Sequence, residues 1–239
     1  MNKLFENFGR IRKNDPEFHE IFKNFAYNEV FEYSTLSKKD SILVTLSSLI
    51  ACQSPKAFKK ILTSALDMDI APEEVKELLY QSVPYVGFGR AHNFFGVVIK
   101  VFDKKEIESP LPNRSNTNPE NRYDKGREIQ ESYFGDENIE MMRNATPEGQ
   151  KHFNTFLEGF CFGDFYTRDG LDDQQRELIT FALIATLGGC ENQLRSHTQG
   201  NLTVGNDKEK LISTLTVIMP YIGFPRTLNA LAIVNEVCE

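Results

Sequence analysis

The sequence predicts an all-α fold built from two tandem copies of one helical unit, and three observations carry that reading. Residues 84–93 read PYVGFGRAHN and residues 220–229 read PYIGFPRTLN, six identities in ten at an offset of 136 residues. An internal repeat of this kind sets the architecture before any local detail. Apolar residues return at helical intervals within long runs. No run of strict apolar–polar alternation lies between turn signals, so no sheet is required.

In the first copy, Asp15-Pro16-Glu17 opens an amphipathic segment with Phe18, Phe22 and Phe25 at helical spacing. Leu36 to Asp40 reads as a cap before the apolar run Ile42 to Ala51. A charged helix is expected over about residues 57–66, and Ala71-Pro72-Glu73-Glu74 starts another with proline in its first turn. The segment Pro84 to Phe88 interrupts the pattern, and a last helix is expected from about Arg90 to Phe102. The second half repeats this order from Phe153 onward. Residues 109–121, rich in Pro, Asn and Ser, read as a connector, and Arg122 to Phe134 as an extra helix. The expected units are therefore 1–108 and 122–239, joined by the linker 109–121.

Composition narrows the function. The chain has 239 residues, 40% of them hydrophobic, with 19 phenylalanines and no tryptophan, so a sizeable core is available. A net charge of −7 argues against nucleic acid as a partner, because phosphate binding needs a basic face. No stretch approaches the roughly 20 apolar residues of a membrane span, and MNKLFENFGRIRKN has no apolar core of a secretory signal. Cys52, Cys161, Cys190 and Cys238 form no CxxC pair, and the four histidines are scattered, so no metal site and no cofactor are implied. A reduced, cytoplasmic setting is expected.

The chemistry-bearing residues gather in the second copy. Glu177 heads the apolar helix ELITFALIATLGG, Cys190 follows Gly188-Gly189, and His197 lies seven residues later. If one helix begins at Cys190, then Cys190, Gln193, Leu194 and His197 share a face. A carboxylate meeting a histidine orients its ring, and a nearby imidazolium favours a thiolate. In the first copy the repeat offset puts Ser41, Ser54 and Ile61 opposite Glu177, Cys190 and His197. The turn is kept twice, the trio once.

Three segments, RYDKGREIQESYFG, FGDFYTRDGLDDQQRELITFALIATLGGCENQLRSHTQGNL and MPYIGFPRTLNALAIVNEV, resemble the carboxymuconolactone decarboxylase domain across nearly all of the second copy. The first copy is similar to a diverged second domain of that family. The resemblance implies an alkyl hydroperoxidase D-like helical bundle and ring-like homo-oligomers, with a trimer of two-domain chains favoured. It implies a small-molecule substrate and two enzymatic branches. In the decarboxylase branch, Glu177 and His197 would perform acid–base chemistry on a carboxylated lactone or related acid. In the thiol peroxidase branch, Cys190 matches the first cysteine of a CxxC motif, while Gln193 stands in place of the second. Arg195 and Arg226 are the candidate cations for substrate carboxylates. Gln193, Gly223 and Phe224 complete the candidate substrate-binding set, although Gly223 and Phe224 recur as Gly87 and Phe88 and so read first as turn formers. A helical oligomer that binds a ligand without turnover is a third expectation.

Overall fold

The computed structural model describes residues 2–239, and every regular element among them is helical. After a 3₁₀ turn at Asn2–Phe8, the first half holds α1 (Gly9–Asn14), α2 (Pro16–Asn24), a π-helical turn (Phe25–Glu29) and α3 (Val30–Glu32). It continues with α4 (Lys38–Ala51), α5 (Pro55–Ala65), α6 (Pro72–Val86) and α7 (Phe88–Lys104). The second half holds α8 (Arg122–Phe134), α9 (Asp136–Ala145), a 3₁₀ turn (Glu148–Gln150), α10 (Lys151–Phe156) and a π-helical segment (Leu157–Tyr166). It closes with α11 (Asp173–Leu187), α12 (Glu191–Thr203), α13 (Lys208–Ile222) and α14 (Phe224–Val237). Helices α5, α6 and α7 start 136 residues before α12, α13 and α14, so the sequence repeat is a repeat of helices. None of the described helices is long and apolar enough to cross a membrane.

Local chemistry sets the helix starts. Asp15, Ser37 and Asp207 accept the backbone N–H of Phe18, Asp40 and Lys210, three residues on. Asp172 accepts from Gln175, whose side-chain oxygen accepts the Asp172 N–H in return. Caps of this kind contribute about 1 kcal/mol each. The expected break at Pro84 falls later. Helix α6 runs through Pro84 to Val86, and α13 runs through Pro220 to Ile222. Proline removes only one intrahelical hydrogen bond there, whereas the positive φ of Gly87 (76°) and Gly223 (81°) turns the chain out of the helix. The following helices then begin at once, at Phe88 and Phe224 rather than near Arg90.

The two apolar runs of the sequence become the centre of the molecule. Helix α4 is buried without interruption from Ser41 to Ala51, and α11 from Arg176 to Thr186. A helix apolar on all sides has no face to offer water, so other helices must surround it. Here α4 packs on α11, with α6 and α13 against the pair. The halves consequently share their cores: Ile179 and Leu183 of α11 enter the first, Val44 of α4 the second. Each fully buried leucine or isoleucine stabilises by about 1.5–3 kcal/mol. Thr45, Ser47 and Thr186 remain compatible with this dry centre because each hydroxyl donates to a carbonyl one turn back.

Two tyrosine pairs also join the halves. Tyr27 and Tyr221 hydroxyls lie 2.9 Å apart, and those of Tyr85 and Tyr166 2.5 Å apart. Residues 105–121 contain no helix but are tied down: Asn116 donates to the Thr167 carbonyl and Thr117 to that of Gly163. Helix α8 crosses the π-helical segment at Gly126 and Gly163, backbone against backbone.

A methyl group at Gly126 would overlap the Glu158 carbonyl oxygen, so Gly126→Ala is expected to cost at least about 1–3 kcal/mol. An unchanged urea midpoint would contradict this packing. Burial pushes the Tyr27 hydroxyl from 10.0 up to about 12 and raises those of Tyr85, Tyr166 and Tyr221. The unfolded chain releases these protons from about pH 10 while the folded chain holds them, so their contribution is whole below that pH and lost above it. Urea midpoints measured from pH 9 to pH 12 should therefore decline at the alkaline end, and less steeply in Tyr27→Phe.

Candidate active site

Glu177 lies in the second turn of α11, fully buried, and everything around it serves to satisfy its carboxylate. Tyr166 donates to Oε1 at 2.9 Å, and His197 Nδ1 stands 3.2 Å from Oε1 and 3.0 Å from Oε2. Asn201, one turn beyond His197, donates to the backbone carbonyls of both Glu177 and His197 and so fixes α12 against α11. The approach requires Gly200, where a Cβ would sit 2.8 Å from Glu177 Oε2 and 3.0 Å from Phe134. The imidazole is held edge-on by two rings, Tyr85 and Phe134, each with its centroid 5.3 Å away. With Nδ1 on the carboxylate, Nε2 is left for the cavity that His197 lines.

That cavity has a volume of about 1160 Å³. Its walls are mainly apolar: Phe134, Ile139, Phe153, Phe156 and Phe160 from the second half, with Tyr85 and Phe88 from the first. Among its polar side chains, Gln130 is notable because it is 3% exposed and its Oε1 has no partner. Behind the wall, the Tyr166 hydroxyl also meets Tyr85 at 2.5 Å and Thr180 at 3.1 Å. Gln81 donates to Thr180 at 3.0 Å and accepts from Arg176 at 3.1 Å. Arg176 and Arg168 share the fully buried Glu77. Opposite charges and hydrogen-bond partners at close range are what allow these charges to be buried.

The residues singled out from sequence take different positions. His197, Cys190, Gln193 and Arg195 line the cavity. Glu177 does not line it and stands behind His197. Cys190 is the cap residue before α12 rather than part of the helix, because Gly188 and Gly189, both at positive φ, separate α11 from α12. Its half-buried Sγ lies 3.7 Å from the Gly188 carbonyl oxygen. Arg195 is half-exposed at the mouth and is held by Glu236 at 2.8 and 3.0 Å. Arg226, Gly223 and Phe224 are not wall residues. Phe224 faces the first half, where it stacks on Phe25 and Tyr221 meets Tyr27, whereas Arg226 lies against the Gly188–Cys190 turn of its own half. The wall positions are taken instead by their repeats, Gly87 and Phe88.

All four cysteines are free. Cys161 shares the cavity with Cys190, but burial pushes its thiol up to about 12, which leaves almost no thiolate at neutral pH. Burial raises Cys52 and Cys238 as well. Sequence reasoning missed Tyr85, Gln130, Phe134 and Tyr166. Tyr85 lay in plain view within the repeated PYVGF segment, but its reach into the other half did not.

The Glu177–His197 contact depends on the bare Cα at position 200. In a crystal structure of Gly200→Ala, the Nδ1–carboxylate distance is expected to exceed about 3.5 Å, beyond hydrogen-bond range, with the helices intact.

A model described as the carboxymuconolactone decarboxylase family matches residues 16–100 and again residues 151–236. The chain is 28% identical over 120 residues to the 4-carboxymuconolactone decarboxylase of Acinetobacter baylyi, covering 50% of this chain and 89% of that one. It is 27% identical over 115 residues to the nitrosuccinic acid decarboxylase of Metarhizium robertsii, covering 48% and 79% respectively. A crystal structure described as a gamma-carboxymuconolactone decarboxylase subunit from Burkholderia xenovorans shares the fold, with a TM-score of 0.56 at 16% identity over 97% of this chain and 90% of that one. Half the length of this chain thus spans most of either decarboxylase, and the same family model fits it twice. The chain belongs to the carboxymuconolactone decarboxylase family, with the family's unit present in tandem.

Proposed function

We propose that the chain is a carboxy-lyase that removes CO2 from a small unsaturated lactone acid or a related acid, with Glu177 and His197 as its acid–base pair. The observation that carries this reading is His197, whose Nδ1 is held by a buried carboxylate while Nε2 is left for a large apolar cavity. The named activities of the two decarboxylase relatives share a chemical theme that supports it. In a carboxymuconolactone or a nitrosuccinic acid, the carbon that loses CO2 can pass its electron pair to a conjugated carbonyl or to a nitro group.

In the proposed reaction the substrate enters as a carboxylate. The C–C bond to the carboxylate breaks, CO2 leaves, and the bonding pair flows into the acceptor to give an enolate-type anion. His197, doubly protonated, keeps Nδ1–H on Glu177 and delivers the Nε2 proton to carbon. Solvent reprotonates the ring, so one proton is consumed per CO2 released. Glu177 stabilises the imidazolium and fixes which nitrogen faces the substrate. The apolar walls exclude water and strengthen these charge interactions. Arg195 at the mouth is the nearest candidate for a second carboxylate, although Glu236 already shares its guanidinium.

The test is turnover of 4-carboxymuconolactone by purified protein, followed by absorbance, beside hydroperoxide consumption with a dithiol. Decarboxylation is expected, with His197→Ala lowering kcat by about 10²–10⁴-fold. Cys190→Ser should leave it within about twofold, since its thiol has no role in the proton transfer. Glu177→Gln should lower kcat while sparing the fold. Peroxide turnover that disappears in Cys190→Ser would replace this reading with thiol chemistry, and inactivity in both assays would favour ligand binding without turnover.

A further inference from the structure

The first half lacks the acid and the imidazole, yet it keeps the segment that reaches the second half's site. At the repeat positions of Glu177 and His197 it carries Ser41 and Ile61, both buried. The 3₁₀ turn Asn2–Phe8 packs on α5, the helix that carries Ile61. Leu4 and Phe5 are buried there, with the Phe5 ring 5.1 Å from Tyr27 and 5.4 Å from Phe22.

The two PYxGF tyrosines cross in opposite senses. Tyr221 leaves the second half and meets the Tyr27 hydroxyl, in the half whose repeat positions carry Ser41 and Ile61. Tyr85 leaves the first half, and its hydroxyl meets that of Tyr166. Tyr166 uses its proton on Glu177, so it accepts from Tyr85. The same Tyr85 ring packs edge-on against the His197 imidazole. Tyr85 therefore touches both members of the pair, one through Tyr166 and the other directly. Gln81, one turn earlier on α6, supports the same point through Thr180.

We propose that Tyr85 is a positioning residue for the Glu177–His197 pair, so that the functional site is a composite of both halves. This assignment rests on the proposed acid–base role of that pair. Tyr85 holds Tyr166 against Oε1, which leaves Oε2 aligned on Nδ1 and keeps Nε2 directed at the cavity. The first half is thus half of one site rather than an idle copy.

The pseudo-symmetry supplies the control. Tyr85→Phe and Tyr221→Phe each delete one buried hydroxyl from a tyrosine pair and keep the ring. Both are expected to lower the melting temperature by a similar amount, about 2–4 °C. With 4-carboxymuconolactone as the probe and the full chain as the enzyme, Tyr85→Phe should lower kcat about tenfold with KM changed less than about twofold. Tyr221→Phe should leave both constants nearly unchanged. Equal effects of the two variants on kcat, or none from Tyr85→Phe, would overturn the assignment.

A second readout separates this idea from the proposed reaction. In ¹⁵N-histidine-labelled protein, long-range proton–nitrogen spectra report the imidazole tautomer, with His197→Gln identifying the signal. Neutral His197 is expected as the Nδ1–H form in the wild type and in Tyr221→Phe, and as a mixture of both tautomers in Tyr85→Phe. If the lactone is not turned over, the reaction is wrong and this measurement alone decides the positioning role. An unchanged tautomer in Tyr85→Phe would then refute it.

Discussion

A carboxylate buried at the start of an apolar helix is the constraint from which the site follows. Glu177 has no access to water, and an unpaired charge there would cost several kcal/mol. The chain meets this demand from two separate elements: Tyr166 at the end of the π-helical segment, and α12, which brings His197 and the bare Cα of Gly200 that permits the approach. Because the partners are distant in sequence, the buried carboxylate is satisfied only when the helices have docked. Folding and assembly of the site are one event.

The same demand explains the polar seam through the middle of an otherwise dry interface. Helix α11 presents Ile179 and Leu183 to one core and Leu178 and Phe181 to the other. It also presents Arg176, Glu177 and Thr180 to a continuous set of partners that includes Glu77, Gln81 and Tyr85 of α6. Removing one member of such a seam strands the next, which is why these groups act together. The central helix pair thus joins the two halves in two ways, through shared apolar burial and through hydrogen bonds that specify register.

Duplication with divergence is visible in the packing. Both halves keep the glycine turn and the crossing tyrosine, since the fold needs the reversal at Gly87 and Gly223 in each copy. The large cavity lies beside the pair of the second half. In the first half a serine and an isoleucine, both buried, replace the acid and the imidazole, and the turn that carries Leu4 and Phe5 packs on α5. In the second half, aromatic side chains from α8, α10 and the π-helical segment wall the space without filling it.

Helix order, the tandem repeat and the caps at Asp15 and Ser37 were legible in the sequence because each is read from the chain itself. The burial of α4 and α11 was legible too, since a helix apolar on every side must lie inside. Glu177, Cys190 and His197 could be named from spacing and from family resemblance, but their relation could not. That Glu177 stands behind His197 rather than in the cavity, that Cys190 precedes its helix, and that Phe224 faces the other half were decided by tertiary packing. So was the reach of Tyr85, a residue whose motif repeats at an offset of 136 positions and reads alike in both copies. Local hydrogen bonds and periodicity are written along the chain, whereas the direction in which a repeated turn points is set by the rotation between two packed halves.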